Sequence, residues 1–455
     1  MTISELYSLF LKHSTVTIDS RNCPPDSLFF ALKGETFDGN AFAEQALKSG
    51  CAYAIVDDPA MVTDKRMLLC DNVLNTLQQL ARIHRQSLKI PVIGITGTNG
   101  KTTTKELTAT VLSQKYKTLY TRGNLNNHIG VPLTLLQLTG EHEIAVIEMG
   151  ANHPCEIGEL AAIACPDYGL ITNVGYAHLE GFGSLEGVIK TKGELYDYLR
   201  GINGTVFIHR DNEYLTGIAG ALNQIMYGAM DLSEKVCSGK NEVPFIGGKI
   251  TGLHPFLSFS WQRCPDEVFT VQTKLVGGYN LWNALAAIAI GVHFNVPHEK
   301  INEAIANYEP TNNRSQLKKT AHNELIIDAY NANPSSMHAA LENFSALTTS
   351  QKTVHFENSP KSQKPLPKAV ILGDMLELGE KSTELHASII KQIEAYHFDN
   401  VLLCGENFSK TGQQYTCFPT VEKLTEYLKT NPLQGYHILI KGSHSIHLEK
   451  TIELL

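Results

Sequence analysis

Val92-Ile93-Gly94-Ile95-Thr96-Gly97-Thr98-Asn99-Gly100-Lys101-Thr102-Thr103 is the stretch on which the fold turns. Pro91 opens it, and the mostly β-branched run 92–96 reads as a buried strand. A glycine-rich turn follows, and the residues from Lys101 to about Leu112 read as a helix. A strand that empties into such a turn at a helix N-terminus makes a phosphate cradle: glycines let backbone N–H groups face phosphate oxygens, and the helix end adds partial positive charge. Gly97, Thr98, Asn99, Gly100 and Thr103 would line the cradle, Lys101 would neutralise β- and γ-phosphates, and the hydroxyl of Thr102 or Thr103 would reach Mg²⁺. The loop departs from the strict G-x-x-x-x-G-K-[ST] pattern, because Ile95 stands six places before Lys101. A glycine turn with a helix-capping threonine is the alternative.

Outward from the loop, short apolar runs alternate with helical patterns. Before it, 27–32 and 52–56 read as strands and 40–49 and 73–88 as amphipathic helices. After it come strands at 144–149 and 170–174, a helix near 186–199, and a strand-rich region at 205–274 with polar breaks at Gly247-Gly248 and Gly277-Gly278. Residues 280–293 read as one buried helix. Beyond Pro310, strands at 325–329, 369–372, 401–403 and 438–440 alternate with helices at 336–347, 383–396 and 421–428, which implies a second parallel sheet. The stretch 348–368 carries Pro360, Pro365 and Pro367 and reads as an exposed loop. The expected class is α/β in three domains: a small N-terminal α/β domain (1–88), a central P-loop-type parallel sheet (89–312) and a C-terminal Rossmann-like domain (313–455).

Composition bounds the function. With 43% hydrophobic and 18% charged residues, the 455-residue chain is globular rather than disordered. A net charge of −8 argues against a nucleic-acid footprint over the whole molecule but allows a local basic site for a small anion. Nine cysteines without any CxxC pair give neither a disulfide framework nor a zinc signature, and Cys23, Cys51, Cys70 and Cys165 read as buried reduced thiols. Residues 1–12 lack a basic leader with an apolar core, and the apolar stretch 281–294 holds Trp282, Asn283 and His293, too short and polar to span a bilayer. A cytoplasmic protein without a membrane span is expected.

The segment Thr96-Gly97-Thr98-Asn99-Gly100-Lys101-Thr102-Thr103 resembles the ATP loop of the Mur ligase family, which forms amide bonds in peptidoglycan assembly. The resemblance covers the chain in order. It continues through Asp19-Ser20-Arg21, Gly123-Asn124-Leu125-Asn126-Asn127, Gly130-Val131-Pro132 and Asp328-Ala329-Tyr330-Asn331-Ala332-Asn333-Pro334. Gly373-Asp374-Met375-Leu376-Glu377-Leu378-Gly379 and Lys441-Gly442-Ser443 complete it. Within the family the chain looks most like the branch that joins D-alanyl-D-alanine to a UDP-N-acetylmuramoyl-tripeptide (UDP-MurNAc-tripeptide) through an acyl phosphate, with ATP as co-substrate and Mg²⁺. Nothing in the sequence demands more than a monomer.

Residue by residue, the resemblance implies a site. Glu148, at a strand end, corresponds to the family's Mg²⁺ carboxylate, and His178 to a second-metal ligand; alone, either would pass as an ordinary polar residue. Lys192 matches a lysine that family members carry as a carbamate: a desolvated lysine near cations loses its proton readily, and the neutral amine adds CO₂. Lys190 is its neighbour and competitor. Asn283 matches an adenine contact, although Asn280 and Asn283 alone read as helix caps. Arg314 matches a γ-phosphate arginine, Asp328 a ribose contact, and Tyr330 flanks the base. Ser20 and Arg21, with Phe37-Asp38-Gly39, resemble a UDP module, and Asn124, Asn126 and Asn127 would bind the muramoyl-peptide. Asn331 and Asn333 are candidates for further substrate contacts. Lys101, His178, Lys192 and Arg314 form the expected catalytic set.

Two rival readings are testable. Another ligase of the family, adding one amino acid, would suit an Asp-Asn-Pro-Arg-like run for a diamino acid, which the sequence lacks. A nucleotide switch without ligase chemistry would suit an Asn-Lys-x-Asp guanine run, also lacking.

Overall fold

The computed structural model describes residues 1–455 except 231–244, 254, 264–266, 312 and 348–365. Nearly all of the loop expected at 348–368 lies outside the described residues. The chain forms three sheets with helices packed on them.

The first sheet lays four short parallel strands side by side in chain order: Val16–Thr17, Leu28–Phe30, Tyr53–Val56 and Met67–Leu69. The helix expected over 40–49 is a 3₁₀ turn, Gly39–Phe42, followed by the helix Ala43–Lys48. Helix Val73–Ser87 begins where the Asn72 side chain accepts the Asn75 N–H at 2.8 Å. Its Leu77, Leu80 and Ala81 enter one apolar core with Leu135 and Leu160 from helices Gly130–Leu135 and Glu156–Ala164. Arg85 pins the same seam, donating to the carbonyls of Leu88, Ala164 and Cys165 and to the Asp167 carboxylate at 2.8 Å. A shared apolar core and an arginine with four hydrogen bonds dock the first sheet onto the second. Of the thiols expected to be buried, Cys51 is; Cys23, Cys70 and Cys165 are half-buried.

The central sheet has nine strands. In spatial order they are Val268–Gln272, Ser258–Gln262, Phe245–Gly252, Asn223–Ala229, Thr205–His209, Tyr168–Ile171, Val92–Thr96, Ile144–Glu148 and Thr118–Tyr120. Neighbours are parallel from Thr118–Tyr120 to Phe245–Gly252, and the last two strands run antiparallel. Gly247-Gly248, expected as a break, lies inside a strand: a side chain on Gly248 would meet Leu285 at 2.7 Å, so the pair makes room for helix Asn280–His293. That helix is buried along almost its whole length, as its continuous apolar sequence implies.

The third sheet runs Gln316–Lys319, Glu324–Asp328, His437–Lys441, Lys368–Gly373, Asn400–Cys404 and Thr416–Phe418; only its first pair is antiparallel. Separate apolar cores cover its two faces, as expected for a doubly wound sheet. The carboxyl ends of the parallel strands in the second and third sheets face one cavity of about 770 Å³, with Glu148 and His209 on one side and Asp328 and Lys441 on the other. Ligands of open α/β sheets bind at such strand ends. Among the described residues no helix is long and apolar enough to cross a membrane.

Candidate active site

The phosphate loop is held rigid by the residues after strand Tyr168–Ile171. Thr98 N–H donates to the Asn173 carbonyl at 2.9 Å, Asn99 N–H to Asn173 Oδ1 at 3.0 Å, and Thr172 Oγ1 to the Asn99 carbonyl at 2.6 Å. The expected strand 170–174 therefore ends at Ile171 and its last residues become the brace. Gly97 has φ +141° and a Cβ there would lie 2.0 Å from Thr172 Oγ1; Gly100 has φ +78° and its Cβ would meet Asn283 Oδ1 at 2.5 Å. Only glycine suits either place. Lys101 folds back, its Nζ donating to the carbonyls of Gly97 (2.7 Å) and Thr98 (2.9 Å). Burial pulls its ammonium down to about 8, against the opposing pull of Glu148. The loop thus presents a desolvated cation at the start of helix Lys101–Leu112, and Thr98, Asn99, Gly100 and Thr103 line the cavity.

Glu148 ends its strand almost wholly buried. Its Oε1 accepts from Thr102 Oγ1 at 3.2 Å and Asn126 Nδ2 at 2.8 Å, so Thr102 rather than Thr103 is the hydroxyl that meets the carboxylate. Its Oε2 is buried without a hydrogen-bond partner. An orphaned carboxylate oxygen next to a phosphate loop, with a hydroxyl at its side, fits Mg²⁺, which takes one or two protein ligands and completes its shell with phosphate oxygens and water. Among the described residues no group of three His, Cys, Asp or Glu side chains gathers as a dedicated metal cage.

Burial separates the two candidate lysines of helix Leu185–Gly201: Lys190 is exposed and Lys192 is 1% exposed. Desolvation, helped by the charge of Lys101, drives the Lys192 ammonium from 10.5 down to about 7. Its Nζ reaches only the Ala151 carbonyl, at 3.4 Å, and lies 5.2 Å from the Phe182 ring centre. A half-deprotonated, sparsely bonded amine fits addition of CO₂. Lys192 is not on the cavity wall. His178 is on the wall, but its Nδ1 pairs with the carboxylate of Glu377 from the third sheet's side, and the Glu180 N–H donates to the Glu377 carbonyl at 3.2 Å. The hydrogen bond from His178 holds the Glu377 carboxyl below its usual range. His178 in this structure is thus half of a clasp between sheets, on the wall of the cavity that Glu148 also lines.

Asn283 lines the cavity with Oδ1 accepting from Thr104 Oγ1 (3.0 Å) and Nδ2 donating to Asn280 Oδ1 (2.8 Å). Neither asparagine caps the helix, whose N-cap is Tyr279, so the capping reading falls. Arg314 enters from the far side, its guanidinium 3.9 Å from the Tyr330 ring centre and its Nε buried without a partner. Asp328 and Tyr330 also line the cavity, and the Asp328 carboxylate is held by Lys441 Nζ at 2.6 Å.

Of the expected substrate contacts, Asn124, Asn126, Asn127 and Asn331 line the cavity. Asn127 Oδ1 also accepts the Gly130 N–H at 2.8 Å, and Lys441 donates to the Asn331 carbonyl at 3.1 Å. Asn333 is placed differently: its Oδ1 caps helix Pro334–Ala346, accepting the Ser336 N–H at 2.9 Å, while its Nδ2 donates to Asn99 Oδ1 at 2.7 Å. Both groups are engaged within the protein, tying the third sheet to the phosphate loop. Ser20 and Arg21 lie off this cavity, where Arg21 forks onto Asp19 (2.9 and 3.0 Å). Two further lysines stand beside the site, one absent from the sequence reading and one quoted there without a role. Lys105, one helical turn after Lys101 and on the same face, carried a usable signal in its i, i+4 spacing. Lys441, quoted in the resembling segment Lys441-Gly442-Ser443, is set beside Asp328 by the pairing of their strands.

The chain matches family models along its length: Mur ligase family, catalytic domain, at 12–97; Mur ligase middle domain at 95–291; and Mur ligase, glutamate ligase domain, at 313–444. A UDP-N-acetylmuramoyl-tripeptide–D-alanyl-D-alanine ligase of Escherichia coli (strain K12) is 33% identical, with 99% of this chain and 95% of that protein covered. A crystal structure of MurF from Acinetobacter baumannii superposes with a TM-score of 0.81 at 29% identity, covering 96% of this chain and 92% of that one. A structure of the MurF ligase from Thermotoga maritima in complex with ADP gives 0.80 at 25% identity, covering 98% and 97%. The phosphate loop, the two opposed strand edges and the ordered succession of matched segments have one common explanation: this chain belongs to the Mur ligase family.

Proposed function

We propose that this protein is an ATP-dependent ligase that joins D-alanyl-D-alanine to UDP-MurNAc-tripeptide. The observation that carries the reading is the cavity into which the phosphate loop, Glu148 and Asn126 project from one sheet and Arg314, Asp328 and Tyr330 from the other. The named activity of the E. coli relative supports the choice of substrates. We assign residues 1–88 to the UDP-substrate, 89–312 to ATP, and 313–455 to closing the site.

The chemistry follows from the reactants. A carboxylate is a poor electrophile, so the terminal carboxylate of the tripeptide attacks the γ-phosphorus, ADP leaves, and an acyl phosphate forms. The neutral amine of D-alanyl-D-alanine then attacks the acyl carbon, loses its proton, and expels inorganic phosphate. Two anions must meet before the first step, so the protein supplies alignment and positive charge. Lys101 leaves its own loop carbonyls for the phosphates, and the amides of Gly100 to Thr103, at the helix start, hold their oxygens. The unpartnered Nε of Arg314 is the donor available from the opposite side. Asn283 and Tyr330 take the adenine, and Asp328, held by Lys441, the ribose. Asn124, Asn126, Asn127 and Asn331 orient the peptide, and Ser20 and Arg21 the UDP end. Thr102 and Glu148 would hold Mg²⁺, which offsets phosphate charge when bound; a carbamate on Lys192, with His178, would serve a second ion. ATP and a UDP-linked precursor place the work in the cytoplasm, and we take the protein to act as a monomer.

The test is amine dependence. Purified protein with ATP, Mg²⁺ and UDP-MurNAc-tripeptide should release phosphate rapidly only with D-alanyl-D-alanine. Preference for a single amino acid would indicate another member of the family, and release without any amine would indicate a switch.

A further inference from the structure

Lys105 is one of the largest fully buried side chains of the molecule, with its side chain 0% exposed. Its Nζ makes no close contact. The nearest oxygens are the Gly123 carbonyl at 3.4 Å, Glu148 Oε2 at 3.6 Å and Glu106 Oε1 at 3.7 Å, with the Tyr120 ring centre at 5.9 Å. The oxygen it faces on Glu148 is the same Oε2 that has no hydrogen-bond partner, while Oε1 is bound by Thr102 and Asn126. Buried charges are costly unless compensated, so a carboxylate with one free oxygen and a loosely held ammonium beside it form a mutually dependent pair. At this spacing the pair attracts without closing. Oε2 therefore stays open to a second cation, which has to share it with Lys105. Gly123 heads the loop that carries Asn124, Asn126 and Asn127 into the cavity, so Lys105 also touches the substrate side.

We infer that Lys105 is a positioning residue, the internal counter-cation of Glu148, which keeps Oε2 in place and tempers its hold on a divalent cation. This deepens the proposed function and rests on Glu148 being the metal carboxylate. Tempering matters because a divalent ion that binds too tightly would retain ADP after reaction. Removing the ammonium leaves Glu148 with more charge for the metal and the Gly123 carbonyl without a partner.

The experiment measures binding without turnover. Mn²⁺ is titrated into the full-length protein with saturating ADP, and free Mn²⁺ is read by electron paramagnetic resonance, for the wild type, Lys105→Met and Lys105→Gln. Two neutral replacements of different packing guard against a folding artefact, and circular dichroism melts establish that each variant used is folded. Removal of the ammonium should tighten Mn²⁺ about tenfold in both variants, as expected when a like charge a few ångströms from the ion is lost. Steady-state assays should show a raised KM for the UDP-linked substrate, with KM for ATP little changed. Unchanged or weaker Mn²⁺ binding in the folded variants overturns the inference. Failure of the wild-type protein with ADP to bind Mn²⁺ would instead overturn the assignment of Glu148.

Discussion

Replacing Lys192 by methionine removes an amine that is almost wholly buried, and its effect on stability depends on pH in a direction the structure dictates. In the unfolded chain this lysine titrates near 10.5, whereas burial, reinforced by Lys101, brings it to about 7 in the folded protein. Below about pH 7 both states are protonated and the folded state carries the full cost of a buried charge. Between about 7 and 10.5 the unfolded state binds the extra proton, so stability rises with pH, by about 1.4 kcal/mol per pH unit from this group. The whole interval amounts to a ceiling of about 5 kcal/mol, which Lys192→Met should recover at neutral pH, less the lost packing of the stem. Urea unfolding of both proteins in CO₂-free buffer at about pH 7, 8 and 9 measures it: the variant's advantage should shrink steadily as pH rises. Bicarbonate should then stabilise the wild type and leave the variant unmoved, since only a neutral amine forms a carbamate. Equal pH slopes for the two proteins would refute the argument that Lys192 is desolvated, and with it the chemical basis for carbamylation.

Three further outcomes follow from the geometry. Gly97→Ala places a methyl group 2.0 Å from Thr172 Oγ1 at φ +141°, so it should abolish ADP binding by calorimetry and lower stability by about 2 kcal/mol or more. Arg314→Ala should lower kcat about a hundredfold or more at a cost to the melting temperature of no more than its packing on the Tyr330 ring, since its Nε has no partner among the described residues. Asn333→Ser keeps an acceptor for the Ser336 N–H but is too short to reach Asn99, so it should raise KM for ATP several-fold with an intact helix; Asn333→Ala should add about 1 kcal/mol of destabilisation from the lost cap.

What could be read before any coordinates existed was whatever depends on local period and composition. The run 92–96, the phosphate turn and the buried helix 280–293 were legible because each carries its signal within a few residues. Strands Val16–Thr17, Thr118–Tyr120, Gln316–Lys319 and Thr416–Phe418 were not, because they are short edge strands formed by pairing with a neighbour and too brief to show a period of their own. Site residues divide similarly. Lys101, Glu148 and Arg314 stand in recognisable segments, and Lys192, matched by the resemblance, shares the helix face of Val188, Leu195 and Leu199 while Lys190 lies on the exposed side. Asn333 was a candidate from its place after the strand that ends at Asp328, which says nothing of its helix cap or of its bond to Asn99, 234 residues away in the chain. The His178–Glu377 clasp is likewise a product of tertiary closure.

Following oxygen through the reaction is the most direct measurement. With the tripeptide's terminal carboxylate labelled with ¹⁸O, the inorganic phosphate formed with ATP and D-alanyl-D-alanine should carry one labelled oxygen per molecule, handed over when the acyl phosphate breaks. Phosphate free of label, its fourth oxygen taken from water, would mean that the nucleotide is hydrolysed without activating the carboxylate, and the ligase reading of this cavity would be wrong.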